Sequence, residues 1–207
     1  IVRNYNLIEE FPKEVLQESS KINREVSEKQ IENRRDFRND IIFTIDGDDS
    51  KDFDDAVSIS FDKNLYTLGV HIADVGHYVH LGGEIDKEAF RRATSVYFPN
   101  HTLPMLPKEL SDDICSLVPH EDRLTLSCIM KITKTGEVQS YEIVESVINS
   151  KERMTYNNVT KLLTTENTEL HERYNHIMPT LKMMEELCLI LEDRRKRNGN
   201  INFEIPE

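Results

Sequence analysis

Tryptophan is absent, and the 207-residue chain has only seven glycines, seven prolines and three cysteines. So little glycine and proline excludes a collagen-like or low-complexity chain. Cys115, Cys128 and Cys188 form no C-x-x-C pair and leave an odd count. A disulfide framework and a cysteine zinc site are therefore not expected, and a reducing cytoplasm is the expected setting. No apolar run reaches the roughly 18 residues of a membrane span, so no membrane partner is expected. Positive charge is short as well, with 26 Lys and Arg against 38 Asp and Glu, a formal net charge of −12. Polyanion affinity comes largely from basic side chains, so a nucleic-acid enzyme of this composition must mass its acids for another purpose. The opening Ile1-Val-Arg-Asn-Tyr-Asn has neither the segments of a secretory signal nor an initiator methionine. The closing Asn202–Glu207 reads as an interrupted strand. Both ends are expected to be cuts within a longer chain.

What is present suffices for one sizeable core, or one core and a short appendage. Residues 11–35 read as a helix: Pro12 suits a first helical position, and Val15, Ser19, Ile22 and Val26 recur at three-to-four spacing. The pattern then changes. Ile41–Ile45 is short, apolar and β-branched; 56–61 and 66–72 alternate around an Asp62-Lys-Asn64 turn. Residues 84–94 have Ile85, Ala89 and Ala93 every four, as in a helix. Strands over 124–132 and 140–148 flank Thr135-Gly136, a second hairpin. A long helix over 177–197, ending near Gly199, has an apolar stripe of Ile177, Leu181, Met184, Cys188 and Leu191. This order predicts an α+β fold, a mixed and largely antiparallel sheet with packed helices, preceded by an N-terminal helix. Residues 1–36 form a helical linker in this reading, and 37–207 the domain proper.

Asp46 to Asp55 is the strongest chemical signal, because six of its ten residues are aspartates. Neighbouring carboxylates raise one another's pKa, so such density is costly without a counter-cation. Mg²⁺ and Mn²⁺ prefer oxygen ligands, and a two-ion site needs about four shared carboxylates. The alternative is a solvated acidic turn. An EF-hand loop fits badly, since position six would be Lys51 and position twelve Val57. A D-D-x-x-D pyrophosphate helix lacks surrounding helical periodicity. A metal site for phosphate chemistry remains, with its carboxyl groups expected to converge on a common centre.

The string Thr44-Ile-Asp-Gly-Asp-Asp-Ser-Lys-Asp-Phe-Asp-Asp-Ala-Val57 resembles the signature of the RNB family of exoribonucleases. Further matching blocks follow in order: His71–Val75, Thr94-Ser-Val-Tyr-Phe-Pro99, Pro104–Pro107, Leu110–Leu117 and Asp122–Leu124. The Thr94–Pro99 wording is closer to the ribonuclease R branch than to ribonuclease II.

The resemblance implies 3′→5′ hydrolysis of single-stranded RNA to nucleoside 5′-monophosphates, with Mg²⁺ or possible Mn²⁺ as cofactor. It implies metal ligation by Asp46, Asp52, Asp54 and Asp55, with Asp46 and Asp55 at the scissile phosphate. Asp52 and Asp54 would serve the second ion and the attacking water. Tyr97 matches the family tyrosine that stacks on the terminal base; its alternative is an ordinary packing aromatic. The family's downstream Thr-Ser-Pro-Ile-Arg stretch is missing, as are its OB-fold domains, so these residues alone are expected to be inactive. The competing class is a non-catalytic RNB-like scaffold that binds RNA or protein. Elsewhere the readings are structural. His71 lies on the strand face opposite Tyr66, Leu68, Val70 and Ile72, and with Asp74 is assigned a supporting role. Ser111-Asp112-Asp113 suits a helix start, Cys115 and Cys128 suit core filling, and Arg194–Arg197 suit a helix C-terminus or, alternatively, phosphate.

Overall fold

The computed structural model describes residues 9–99, 101–165 and 168–200. Its centre is a seven-stranded sheet in the order β1-β8-β7-β4-β3-β2-β9. The strands are β1 (Arg35–Asp36), β2 (Phe43–Asp46), β3 (Asp55–Asp62), β4 (Leu65–Ala73), β7 (Asp122–Thr133), β8 (Val138–Asn149) and β9 (Glu152–Thr155). Two outer pairs, β1–β8 and β2–β9, are parallel; the other four are antiparallel. A separate hairpin joins β5 (Val96–Phe98) and β6 (His101–Leu103). The α+β expectation holds. Both predicted hairpins form where their turn residues accept left-handed backbone: Lys63 and Asn64 at φ 49° and 66°, and Gly136 at φ 77°.

The helix predicted over 11–35 is not one helix. It divides into α1 (Lys13–Ser19) and α2 (Glu28–Ile31), and Arg35–Asp36 then pairs with β8. Ser27 and Gln30 form a capping box that starts α2 afresh. The apolar positions were nevertheless the right ones. Val15 is buried in the main core, with Ile22, Val26 and Ile31 packed against it. That core also receives Ala56 and Ala73 from the sheet, Tyr78 from α3 (Val75–Tyr78) and Ile85 from α4 (Glu84–Arg92). α4 stops at Ala93, which turns to φ 65° and is exposed, so the predicted stripe ends at Ala89. Glu88 is buried beside it, paired with Arg91 and Arg92 at 2.7 and 2.9 Å.

Strand alternation sends Val57, Ile59, Leu68 and Tyr66 to the other face, under α7 (Met178–Arg197), which follows α5 (Tyr156–Thr164) and α6 (Thr168–Arg173). Here the predicted stripe needs correction. Ile177, Leu181 and Met184 pack with Phe43 and Met154. Further along, Met183, Leu187, Ile190 and Leu191 pack with Tyr66 and Ile132, and Cys188 is exposed. The sheet twists beneath the helix, so the contacting side rotates along it, by about a quarter turn at 100° per residue. The Ser111–Asp113 expectation also fails. Helical backbone already begins at Lys108, and these residues sit in a following π-helical turn, Leu110–Ile114. Asp113 instead pairs with Arg24 and Arg123, at 3.2 and 3.4 Å.

His71 is fully buried between two hydroxyls. Nε2 lies 3.0 Å from Ser58 Oγ and Nδ1 lies 2.6 Å from Ser127 Oγ. The chain continues through Ser146 to Thr125, at 2.5 and 2.7 Å. Gly69 leaves the space, since a Cβ there would sit 2.8 Å from the imidazole. Asp74 caps α3 and holds Arg34 Nη2 at 2.6 Å, locking the N-terminal segment to the sheet. No helix among the described residues is long and apolar enough to cross a membrane.

Two outcomes follow. Leu181→Ala is expected to cost about 2–5 kcal/mol by chemical denaturation, and Cys188→Ser under about 0.5; comparable losses would restore the straight stripe. Burial pushes the His71 imidazole down to about 4 from 6.5. A depressed histidine contributes stability above its unfolded pKa and loses it as pH falls toward the folded one. Wild type is thus expected to lose up to about 3 kcal/mol relative to His71→Gln between pH 6.5 and 4. A flat difference across that window would remove His71 from the acid sensitivity.

Candidate active site

β2 ends at Asp46 and β3 begins at Asp55, so two neighbouring strands deliver the ends of the acidic loop to one edge of the sheet. A tight turn opens it, with Ser50 N–H donating to Gly47 O at 3.2 Å. Its second half is tied down residue by residue. Ser116 Oγ accepts from Phe53 N–H at 3.0 Å and donates to Lys51 O at 2.8 Å. Leu117 N–H donates to Phe53 O at 2.9 Å, and Ala73 N–H to Asp54 O at 3.0 Å. The Phe53 side chain is buried in the main core. With Phe53 turned inward, the flanking Asp52 and Asp54 are left outside, half-buried and exposed respectively. Asp48 and Asp49 are exposed in the turn.

The four aspartates share one electrostatic neighbourhood. Partial burial raises the Asp46 carboxyl above its usual range, with Asp55 and Asp52 pushing the same way. Thr44 and Arg153 oppose them. Asp54 is raised too, first by desolvation and then by Asp52 and Asp55. Asp46 Oδ2 is buried with no hydrogen-bond donor. All-oxygen donors, mutual repulsion and an orphaned carboxylate oxygen suit a hard divalent cation. The cage is not closed, however. Among the described residues no three His, Cys, Asp or Glu side chains are placed closely enough to hold a metal ion together.

Tyr97, on β5, reaches the same spot. Its hydroxyl donates to Asp52 Oδ2 at 2.6 Å, and the residue is 64% exposed. The Asp52 contact, then burial, pushes the phenol up to about 12. An open aromatic face therefore stands beside the carboxylates. Arg194–Arg197 are partly or fully exposed in the last turn of α7, with Arg197 paired to Asp193 at 3.2 Å.

Sequence reasoning missed Arg153, on the short strand β9. Its Nη2 donates to Gly47 O and Asp48 O at 2.9 and 2.6 Å, and its guanidinium lies 5.4 Å from the Phe53 ring centre. Asn157, on α5 (Tyr156–Thr164), donates to the Asp48 carboxylate. No local motif marks either residue; only the parallel pairing of β2 with β9 brings them near.

Residues 34–207 match the RNB domain family. The chain belongs to the RNB family. Ribonuclease R 1 of Lactococcus lactis is 47% identical over 208 residues, which cover all of this chain and 25% of that protein. Ribonuclease R of Aquifex aeolicus is 43% identical, over all of this chain and 29% of that one. Mycoplasma genitalium RNase R, solved in complex with ribose-methylated single-stranded RNA, has a TM-score of 0.87 at 29% identity. That match covers 97% of this chain and 31% of the solved one. This RNB chain thus spans between 25% and 31% of the length of these three relatives.

The raised carboxyls carry a sign that can be measured. A carboxyl whose folded pKa is raised is destabilising once ionised, so its cost is absent at low pH and grows as pH rises through the folded pKa. Asp46→Asn is expected to raise Tm at pH 7 by about 1–2 °C, a modest figure because solvent screens the loop. The gain should vanish near pH 3, where the carboxyl is protonated in both states. A loss of stability at pH 7 in the absence of divalent cations would contradict the repulsion argument.

Proposed function

We propose that this RNB chain contributes the metal-binding part of the active site of a 3′→5′ exoribonuclease that hydrolyses single-stranded RNA to nucleoside 5′-monophosphates. The observation that carries this reading is the Tyr97–Asp52 contact, which sets an exposed aromatic ring against the edge of the aspartate cluster. A 3′-terminal base stacked on that ring would lie beside the carboxylates, and stacking is sequence-tolerant because every base has a π-face. The binding of single-stranded RNA by the M. genitalium relative supports RNA as the substrate.

Asp46 and Asp55, at the ends of two adjacent strands, are assigned to the ion at the scissile phosphate. Asp52 and Asp54, on either side of the anchored Phe53, are assigned to the second ion and the attacking water. When bound, Mg²⁺ or Mn²⁺ supplies Lewis-acid activation of water and neutralises charge on the leaving 3′-oxygen. Asp54 is exposed beside the anchored Phe53, where its carboxylate is open to an attacking water. Tyr97 fixes the Asp52 carboxylate through its hydroxyl while its ring orients the base. With a net charge of −12, the chain needs a basic surface to retain RNA between cuts. We place that surface in OB-fold domains within the remaining length of the longer protein. Residues 1–207 alone are accordingly proposed to be inactive in processive degradation.

The test is Asp54→Asn in a protein of the relatives' full length. It removes one charge and little volume, so RNA binding should persist while Mg²⁺-dependent release of 5′-monophosphates falls by about three orders of magnitude or more. That corresponds to roughly 4 kcal/mol of lost transition-state stabilisation. Turnover within tenfold of wild type would remove Asp54 from the mechanism.

A further inference from the structure

β9 alternates between two environments. Met154 enters the core beneath α7, while Arg153, paired in register with Thr44, faces the side on which β2 presents Asp46. One guanidinium nitrogen of Arg153 bridges the turn of the acidic loop, with short bonds to Gly47 O and Asp48 O and a longer one of 3.4 Å to Ser50 O. Its Nε is buried with no acceptor, a cost the carbonyl bonds must outweigh. The side chain is thus committed to the loop backbone and is not paired with any single carboxylate. A lysine could reach the carbonyls through its ammonium but would lose the guanidinium that lies 5.4 Å from the Phe53 ring centre.

We propose that Arg153 is a positioning residue for the metal site: by holding the carbonyls of the 47–50 turn it fixes how the loop carries its aspartates, so that a divalent cation can collect their carboxylates. The inference rests on the metal reading given above. It makes a prediction whose sign separates it from simple electrostatics. Arg153 is a cation near Asp46, so removing its charge would tighten cation binding if charge alone mattered. If Arg153 instead pre-shapes the loop, removing it loosens the turn and weakens binding, because the cation must then order the loop itself.

The experiment uses the 207-residue chain as wild type, Arg153→Met and Arg153→Lys. Free Mn²⁺ is measured by electron paramagnetic resonance, and amide hydrogen exchange is followed without divalent ions. Arg153→Met is expected to bind Mn²⁺ about tenfold more weakly, with faster exchange at Ser50 and unchanged protection in β4 and β7. Arg153→Lys is expected to lie between wild type and the Met variant, since its ammonium can still reach the carbonyls. Equal or tighter binding by Arg153→Met overturns the proposal, and so does weaker binding by Arg153→Met with unchanged exchange at Ser50. If Arg153→Met does not fold, Arg153→Lys decides on the same criteria. A wild-type chain that binds no Mn²⁺ overturns the metal reading instead; unchanged loop exchange in both variants then overturns the role of Arg153 on its own.

Discussion

Six aspartates within ten residues repel one another, and the loop that bears them cannot hold its shape through its own side chains. The ties come from elsewhere. Ser116 and Leu117 bind the backbone around Phe53, β4 holds Asp54 through Ala73, and Arg153 bridges the opening turn. Each donates to, or accepts from, main-chain groups, and among the described residues no salt bridge neutralises these carboxylates. A loop organised this way concentrates negative charge at one edge of the sheet without letting the charge unfold it.

The sheet is suited to that task because each face carries a packed layer behind the loop. On one side the N-terminal segment, α3 and α4 close over Ala56, Ala73 and the buried His71. On the other, α7 runs across Val57, Ile59 and Tyr66. β3 lies between these layers at Ala56 and Val57, directly after the loop's exit, while its hairpin end is exposed. The hydroxyl ladder around His71 links β3, β4, β7 and β8 through directional bonds. Buried polar groups of this kind are costly when misaligned, so they oppose any slip of strand register.

The contrast between α7 and the first helical segment shows where periodicity succeeds and where it stops. In both, the apolar positions named from sequence are largely those that pack. In residues 11–35 the same side chains reach the core from two short helices and an intervening turn, because local capping by Ser27 and pairing by β1 outweighed an uninterrupted helical pattern. In α7 the helix is continuous, yet Cys188 points outward because the sheet beneath it twists. Periodicity records which residues are apolar along a line; it does not record the shape of the surface they meet.

The acidic signature, the two hairpins with their turn residues and the central strands were legible in the sequence, because each depends on neighbours close along the chain. Alternation, turn chemistry and charge density are local quantities. Tyr97 was legible only through a family resemblance, and its hydroxyl on Asp52 only from the fold, since 45 residues separate them. Arg153 was legible from neither. It sits about a hundred residues from the loop it holds, on a four-residue strand too short to show a pattern. The sequence by itself determined that many carboxylates would gather in one loop. Only the parallel pairing of β2 with β9 decided which cation would bind that loop's backbone, because side chains so far apart in the chain meet only when the sheet is assembled.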